Sequence, residues 1–447
     1  MQSNLTGKLL FYSTALVFIF CIAWTCYIPS QSEFKKIIIP YIIAFGGYIL
    51  LLKKSTSQIE FKRIFLIAII SRFIVLFSFP NLSDDIYRFI WDGRCLHLGI
   101  SPFQYLPSEI VGENESLSQK LFLLLNSPDY FSIYPPIGQA VAYIATLPIF
   151  TSYYSSAIIF KLFVFMAEVG SILIAIEILK NLKINSNRIF IYALNPLIII
   201  ELTGNIHFEA FMIFFLLLAL YFLMNQKILR GGFYLALSIC SKLLPLMFLP
   251  LVVSFTKDLK KVIRFGISSA LTGLILFAFF LNMEIISNLG KSIGLYVNKF
   301  EFNAGIYYFL RGLGYWIKGF NTIHIIGPFL SILTVVLICS QALHFYIKKK
   351  SDKDLFTYAL MAFCTYLLMA TIVHPWYMAV PLILCVFTPF RFPVLWSFLI
   401  FFTYSNYSAD SYNESLWIVA IEYFIVISFM TWEIYQYKKD SLKTYLI

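Results

Sequence analysis

Apolar residues in this chain run in stretches close to twenty, and short polar segments carrying most of the Lys and Arg divide them. A helix rises 1.5 Å per residue, so a run of about 20 residues matches the roughly 30 Å hydrocarbon core of a bilayer. Such runs cover about 9–28, 37–52, 64–79, 156–179, 189–204, 207–225, 265–281, 322–346, 355–373, 377–390, 392–407 and 416–436. Backbone polar groups inside lipid must pair within their own segment. The pattern therefore predicts an all-α, polytopic integral membrane protein of about twelve transmembrane helices. The first run is too long for a signal-peptide core, and no small-x-small site follows it, so it reads as a retained span.

The polar segments orient the spans. Positively charged loops stay inside, which puts Lys53, Lys54, Lys62 and Arg63, then Lys180, Lys183 and Arg188, then Lys348, Lys349, Lys350 and Lys353, on one side with the tail lysines 438, 439 and 443. The long segments 80–150 and 282–321 then form two large loops on the opposite, outer side of a single domain, 1–447. Residues 137–150 read as an interfacial or half-inserted helix, because a crossing there would invert every later loop. The stretch 231–254 has cations at both ends, Arg230 before it and Lys257, Lys260, Lys261 and Arg264 after it. It reads as a re-entrant pair with Lys242 and Pro245 near the tip. A single span with Lys242 snorkelling is the other reading.

Composition sharpens the class. The 447 residues are 60% hydrophobic and 13% charged, against about 25% charged in a soluble domain. The net charge of +11 is spread in clusters between apolar runs, which argues against nucleic acid as a partner. Cys21, Cys26, Cys240, Cys339, Cys364 and Cys385 lie in apolar runs and Cys95 in a polar loop, so no disulfide framework is expected. The two halves show no inverted repeat, which counts against a transporter.

Charge is concentrated in Ser83-Asp84-Asp85-Ile86-Tyr87-Arg88-Phe89-Ile90-Trp91-Asp92-Gly93-Arg94. As a helix it would carry Ile86, Phe89, Ile90 and Gly93 on one face and Asp85, Arg88 and Asp92 on another. Such a helix can lie in the headgroup layer with its acids toward water. Local grammar alone offers a second account: Ser83 as N-cap, with Asp84 and Asp85 meeting the helix dipole. The wider pattern favours function. On the topology above, Asp84, Asp85, Arg88, Asp92, Arg94, His207, Glu209, Lys242, Arg311 and His374 share the outer level, and ionisable groups at spans are functional by default. Lys161 and Glu168, seven apart on one helix, and Glu201 are expected to pair with one another or with that outer cluster. No His-x-x-x-His, Glu-x-x-His or Cys pair marks a zinc site. No metal ligand is assigned, although an Asp-Asp pair can hold a hard divalent cation.

Residues 83–94, followed by Gly99-Ile100-Ser101-Pro102-Phe103, resemble the first external loop of the GT-C glycosyltransferases. The resemblance is nearest to bacterial polyprenol-phosphate-mannose-dependent mannosyltransferases, and more distant to the first mannosyltransferase of GPI-anchor assembly. Tyr134-Pro135-Pro136-Ile137 is similar to a Tyr-x-Pro-Leu segment of that family. Asn195-Pro196-Leu197 with Glu201, Gly204 and His207 resembles a second block, where the family often has His-Asn-Asp and this chain has His207-Phe208-Glu209. Phe302-Asn303-Ala304-Gly305-Ile306-Tyr307 and His374-Pro375-Trp376-Tyr377 complete the similarity.

The resemblance implies transfer of a sugar, mannose by analogy, from a polyprenyl-phosphate donor to a hydroxyl of a glycan or lipid-linked acceptor, at the extracytoplasmic face of a bacterial inner membrane. Asp85 and Asp84 would be catalytic, with Asp85 as base kept ionised by Arg88. Arg88, Asp92, Arg94, Tyr134, His207, Glu209, Lys242, Asn303, Arg311, His374 and Trp376 would bind substrate. Lys242, Arg311 and Arg88 are the candidate cations for the lipid phosphate, and Trp91, Tyr134 and Trp376 the candidate stacking platforms. The rival is a lipid-linked-sugar flippase or polysaccharide transporter without glycosyl transfer.

Overall fold

A computed structural model describes residues 2–54, 58–280, 283–348, 351–407 and 413–445. Among them the regular elements are helices, joined by one isolated parallel bridge between Phe302 and Ile372. The principal helices are α1 (Gln2–Tyr27), α2 (Phe34–Lys54), α3 (Gln58–Val75), α4 (Asp85–His97), α5 (Pro136–Ala145), α6 (Tyr153–Asn181), α7 (Glu209–Met224), α8 (Ile228–Ile239), α9 (Leu249–Thr256) and α10 (Leu259–Phe277). They continue as α11 (Met283–Asn298), α12 (Ile306–Lys318), α13 (Ile323–Ile347), α14 (Asp352–Met369), α15 (Ala379–Cys385), α16 (Phe392–Leu399) and α17 (Leu416–Tyr445).

Five of the described helices are long and apolar enough to cross a membrane: α1 over Gly7–Tyr27, α2, α6, α13, and α17 over Leu416–Lys439. A sixth arises if the pair Pro196–Gly204 and α7, bent by 110°, counts as one broken span. The expected twelve rested on apolar runs that the backbone subdivides. The run 189–204 becomes three short helical pieces and a π-turn over Ile199–Gly204, with Pro196 inside it. The stretch 231–254 breaks into α8 and a second short segment around Lys242 and Pro245. α3 carries Glu60, Lys62, Arg63 and Arg72 within its 18 residues. The ten residues of α5 make about 15 Å of helix, half a hydrocarbon core. Asn282, Lys349 and Lys350, which figure in the loop and charge assignments, lie outside the described residues.

Buried polar groups tie these helices together. Arg72 of α3 donates through Nε to Glu168 of α6 at 2.9 Å, and through Nη1 to the Ala193 carbonyl at 2.6 Å. Thr203 also donates to Glu168. Lys161 instead donates to the Val75 carbonyl at 3.0 Å and to Ser78 Oγ at 2.7 Å, closing the C-terminus of α3, whose carbonyls have no helical partner. Lys161 and Glu168 thus pair neither with each other nor with the outer cluster. Seven residues is two turns, about 10.5 Å, beyond the reach of a direct contact. Tyr48 and Tyr41 of α2 donate to the carbonyls of Ile191 and Ser397, at 2.8 and 2.7 Å. α8 and α10 pack backbone to backbone: a Cβ on Gly232 would lie 2.4 Å from the Phe265 carbonyl oxygen.

Candidate active site

The site starts at α4. Its apolar face is as the spacing predicts: Ile86, Phe89 and Ile90 are buried, with the Phe89 and Phe208 rings stacked at 4.5 Å. Gly93 is required, since a Cβ there would sit 2.4 Å from the Ala142 carbonyl of α5. The polar face departs from expectation. Arg88 and Asp92, expected to face water, are 2% and 0% exposed. Arg88 Nε donates to Asp92 Oδ1 at 2.8 Å, and its Nη1 donates to the carbonyls of Ser127 and Tyr130 at 2.9 and 2.8 Å. Ser132 Oγ and Gln139 Nε2 donate to the other Asp92 oxygen, at 2.5 and 3.0 Å. The i, i+4 spacing pairs Arg88 with Asp92 rather than Asp85, and the loop 127–139 closes over them. Arg88 and Asp92 therefore fasten the loop to the helix. The reason for choosing Asp85 over Asp84 as base, a cation from Arg88, falls away. Cys95 lies on α4 and is buried rather than in a polar loop.

Only the first turn of α4 keeps its acids accessible. Asp84 is exposed and makes no side-chain capping bond. Asp85 is half-buried, accepts a hydrogen bond from Asn126 Nδ2 at 2.8 Å, and its N–H lies 3.4 Å from Ser83 Oγ. Loss of water around Asp84, and then the Asp85 charge beside it, hold the Asp84 carboxyl above the usual range. Both causes disfavour its ionised form.

A second centre forms where α7 begins. His207 stacks on Trp376 with ring centroids 3.8 Å apart, and His374 stacks on the same indole at 4.3 Å. Glu209, buried at the start of α7, receives the Lys242 ammonium, which also lies 4.7 Å above the Tyr377 ring. Lys242 stands in the break after α8, and that break is pinned by the Ile137 N–H, which donates to the Cys240 carbonyl at 3.0 Å. The Tyr134 ring meets Phe89 and Phe208 at 4.8 and 5.7 Å. Segments around residues 89, 134, 207, 242 and 374 are thereby joined by direct contacts. Burial first, then the nearby Lys242 and His207, push the His374 imidazole down to about 3, which keeps it neutral.

Tyr407 extends the ring stack on the far side of Phe302. Its ring lies 6.3 Å from Phe302, and Phe302 lies 4.5 Å from His374. Asn303, the next residue, has φ of 45° and is gripped by the start of α17 and the segment before it. Its N–H donates to Glu414 at 2.6 Å, its Nδ2 to Glu422 at 3.2 Å, and its carbonyl accepts from the Tyr423 hydroxyl at 2.8 Å.

Other expected residues lie apart. Arg311 pairs with Glu301 and covers the Tyr308 ring at 4.2 Å, beside Asn303 rather than Lys242. Arg94 donates to the Ser116 carbonyl at 2.8 Å and lies 5.5 Å above the Tyr153 ring, away from both centres. Trp91 is buried, and both imidazoles stack on the Trp376 ring. Among the described residues no His, Cys, Asp or Glu joins Asp84 and Asp85 in a metal-binding group. Asn126, Tyr407, Glu414 and Glu422 were not anticipated. Glu422 could have been, as an acid inside the run 416–436; nothing in the sequence singles out Asn126 or Tyr407.

A family model described as "Alpha-(1->6)-mannopyranosyltransferase, N-terminal domain", of the MptA_B family, matches residues 41–257. A search of curated proteins finds no match. The matched range holds the acid pair, Tyr134, Glu201, His207, Glu209 and Lys242, whereas Asn303, Arg311, His374 and Trp376 lie beyond it. The match is consistent with the bacterial GT-C mannosyltransferase resemblance of residues 83–94.

Proposed function

We propose that this protein transfers mannose from a polyprenyl-phosphate donor to a hydroxyl of a glycan or lipid-linked acceptor, at the extracytoplasmic face of a bacterial inner membrane. The observation that carries the reading is the linkage of an accessible acid pair to a half-buried lysine. The route runs from α4 through Phe89 and Phe208 to Glu209 and Lys242. The chemistry needs both groups. The acceptor oxygen attacks the anomeric carbon, and the bond from that carbon to the phosphate oxygen breaks. The acceptor proton passes to a carboxylate, and the bond's electron pair leaves on the lipid phosphate.

Asp84 is the base in this reading. It is exposed, and a carboxyl held above its usual range is a stronger proton acceptor, closer to a working pH. Asp85, fixed by Asn126, orients the acceptor and contributes the charge that raises Asp84. Lys242 stabilises the departing phosphate, and His207 and His374 flank it, stacked on Trp376. If the product carries the α-(1→6) linkage in the family's description, a single displacement, which inverts configuration, requires a β-linked donor sugar.

The test is purified protein in vesicles with a polyprenyl-phosphate mannose and a panel of acceptors, with the products read by mass. A mannosylated acceptor and free polyprenyl phosphate are expected. Donor crossing the bilayer with no new glycosidic bond would establish the flippase instead.

A further inference from the structure

We infer that Glu201 is a positioning residue that sets the His207 ring in the donor site, an inference that rests on the function proposed above. Three observations converge on it. First, residues Ile199–Gly204 form a π-turn, a rare bulge that recurs at functional sites because it re-aims side chains at the cost of regular helix. Second, Ile206 has φ of 63°. A β-branched residue in the left-handed region is strained, and such strain persists only where the surroundings over-determine it. Both distortions immediately precede His207.

Third, the π-turn delivers a wholly buried carboxylate to three groups. Glu201 Oε1 accepts from the Tyr404 hydroxyl at 2.8 Å and Oε2 from Asn205 Nδ2 at 3.4 Å, while His207 Nε2 lies 3.3 Å from Oε2 in contact but outside hydrogen-bond geometry. A regular α-turn here would rotate Glu201 away from the ring, and a relaxed Ile206 would turn His207 off Trp376. Glu201 is too deeply buried to touch either substrate. What it can do is fix the rotation of the His207 imidazole from behind, so that the ring lies flat on Trp376 beside Lys242. Through Tyr404, whose ring is 6.1 Å from Tyr407, it also braces the ring contacts that run on to Phe302.

The test is a double-mutant cycle on Glu201 and His207, read by polyprenyl-phosphate binding to the detergent-purified full chain, which needs no turnover, and by the separate KM and kcat of transfer. E201Q should weaken polyprenyl-phosphate binding and raise donor KM by about 5–10-fold, the scale of one polar contact, with kcat within about twofold. E201Q/H207N should be no worse than H207N alone, because the carboxylate acts through the ring. Multiplying losses in the double variant, or wild-type binding by folded E201Q, would overturn the inference. If E201Q does not fold, E201D, which keeps the charge but withdraws the oxygens, should show the same selective loss of binding; wild-type binding by E201D would equally overturn it. Absence of transfer by the wild-type protein would refute the proposed reaction and leave the binding cycle to decide the role of Glu201.

Discussion

The two ends of α4 carry the same chemical groups and put them to opposite uses. At its start, Asp84 is exposed without a capping bond, and Asp85 is held by one amide. One to two turns on, Arg88 and Asp92 bond each other and are sealed beneath residues 127–139 by Ser127, Tyr130, Ser132 and Gln139. A buried carboxylate held by an arginine, a hydroxyl and an amide is closed off from a substrate. An accessible carboxylate beside a second acid is short of partners and is more basic for it. Partner count, rather than residue type, separates a working acid from a fastener.

The sharpest way to break the comparison is at its open end. Asp84→Asn should leave the folded yield intact and lower turnover by about 10²–10⁴-fold, the range for a lost general base. Asp85→Asn should cost less, and it should also move the acid limb of the rate profile. An ionised base is needed, so activity falls as pH drops through the Asp84 value. That value is held up partly by the Asp85 charge, so removing the charge should shift the limb to lower pH. Turnover by Asp84→Asn within about tenfold of wild type would remove the base from this site.

At the sealed end the same substitution should act on stability. Asp92→Asn or Arg88→Met leaves an uncompensated buried partner, which costs about 3–5 kcal/mol. Thermal unfolding in detergent should show that loss, while activity per folded molecule stays within a few-fold. Loss of turnover by Asp92→Asn without loss of stability would erase the distinction between the two ends.

This difference also marks how far the sequence could be read. Helix α4 and its buried face of Ile86, Phe89, Ile90 and Gly93 follow from spacing, and of the ten residues expected at one level His207, Glu209, Lys242 and His374 come together while Arg94 and Arg311 lie apart. Burial of Arg88 and Asp92 does not follow, because their cover comes from residues 39 to 47 positions downstream. Asn126 escaped for the same reason. The count of twelve crossings is not confirmed: an apolar run shows that a segment can lie in lipid, whereas the breaks at Pro196 and Pro245 show it need not do so as one helix. Lys161 and Glu168 were joined by sequence distance, yet Arg72 from α3 claimed the glutamate.

Lys242 probes the second centre on a smaller scale. Lys242→Ala should raise donor KM roughly 10–100-fold, as expected for one charged hydrogen bond of about 1.5–3 kcal/mol, and leave acceptor KM nearly unchanged. The substitution also strands Glu209, which is 1% exposed. Glu209→Gln in the same chain should therefore restore stability without restoring donor use. Recovery of donor use by the double variant would assign the effect to the stranded acid instead.

The smallest effect concerns His374, whose imidazole is held down to about 3 by burial, Lys242 and His207. An unfolded histidine titrates near 6.5. Between about pH 3 and 6.5 the unfolded chain therefore binds a proton that the folded chain refuses, and stability must fall as pH falls through that window. Above about 6.5 both states are neutral and the residue adds no pH dependence. His374→Gln, neutral at every pH, should flatten the acid side of the stability profile and leave it unchanged above neutrality. It should not move the acid limb of turnover, because that limb belongs to Asp84. Unfolding midpoints measured across pH 4–8 for the two proteins decide it. Parallel profiles would mean that His374 takes up a proton in the folded state.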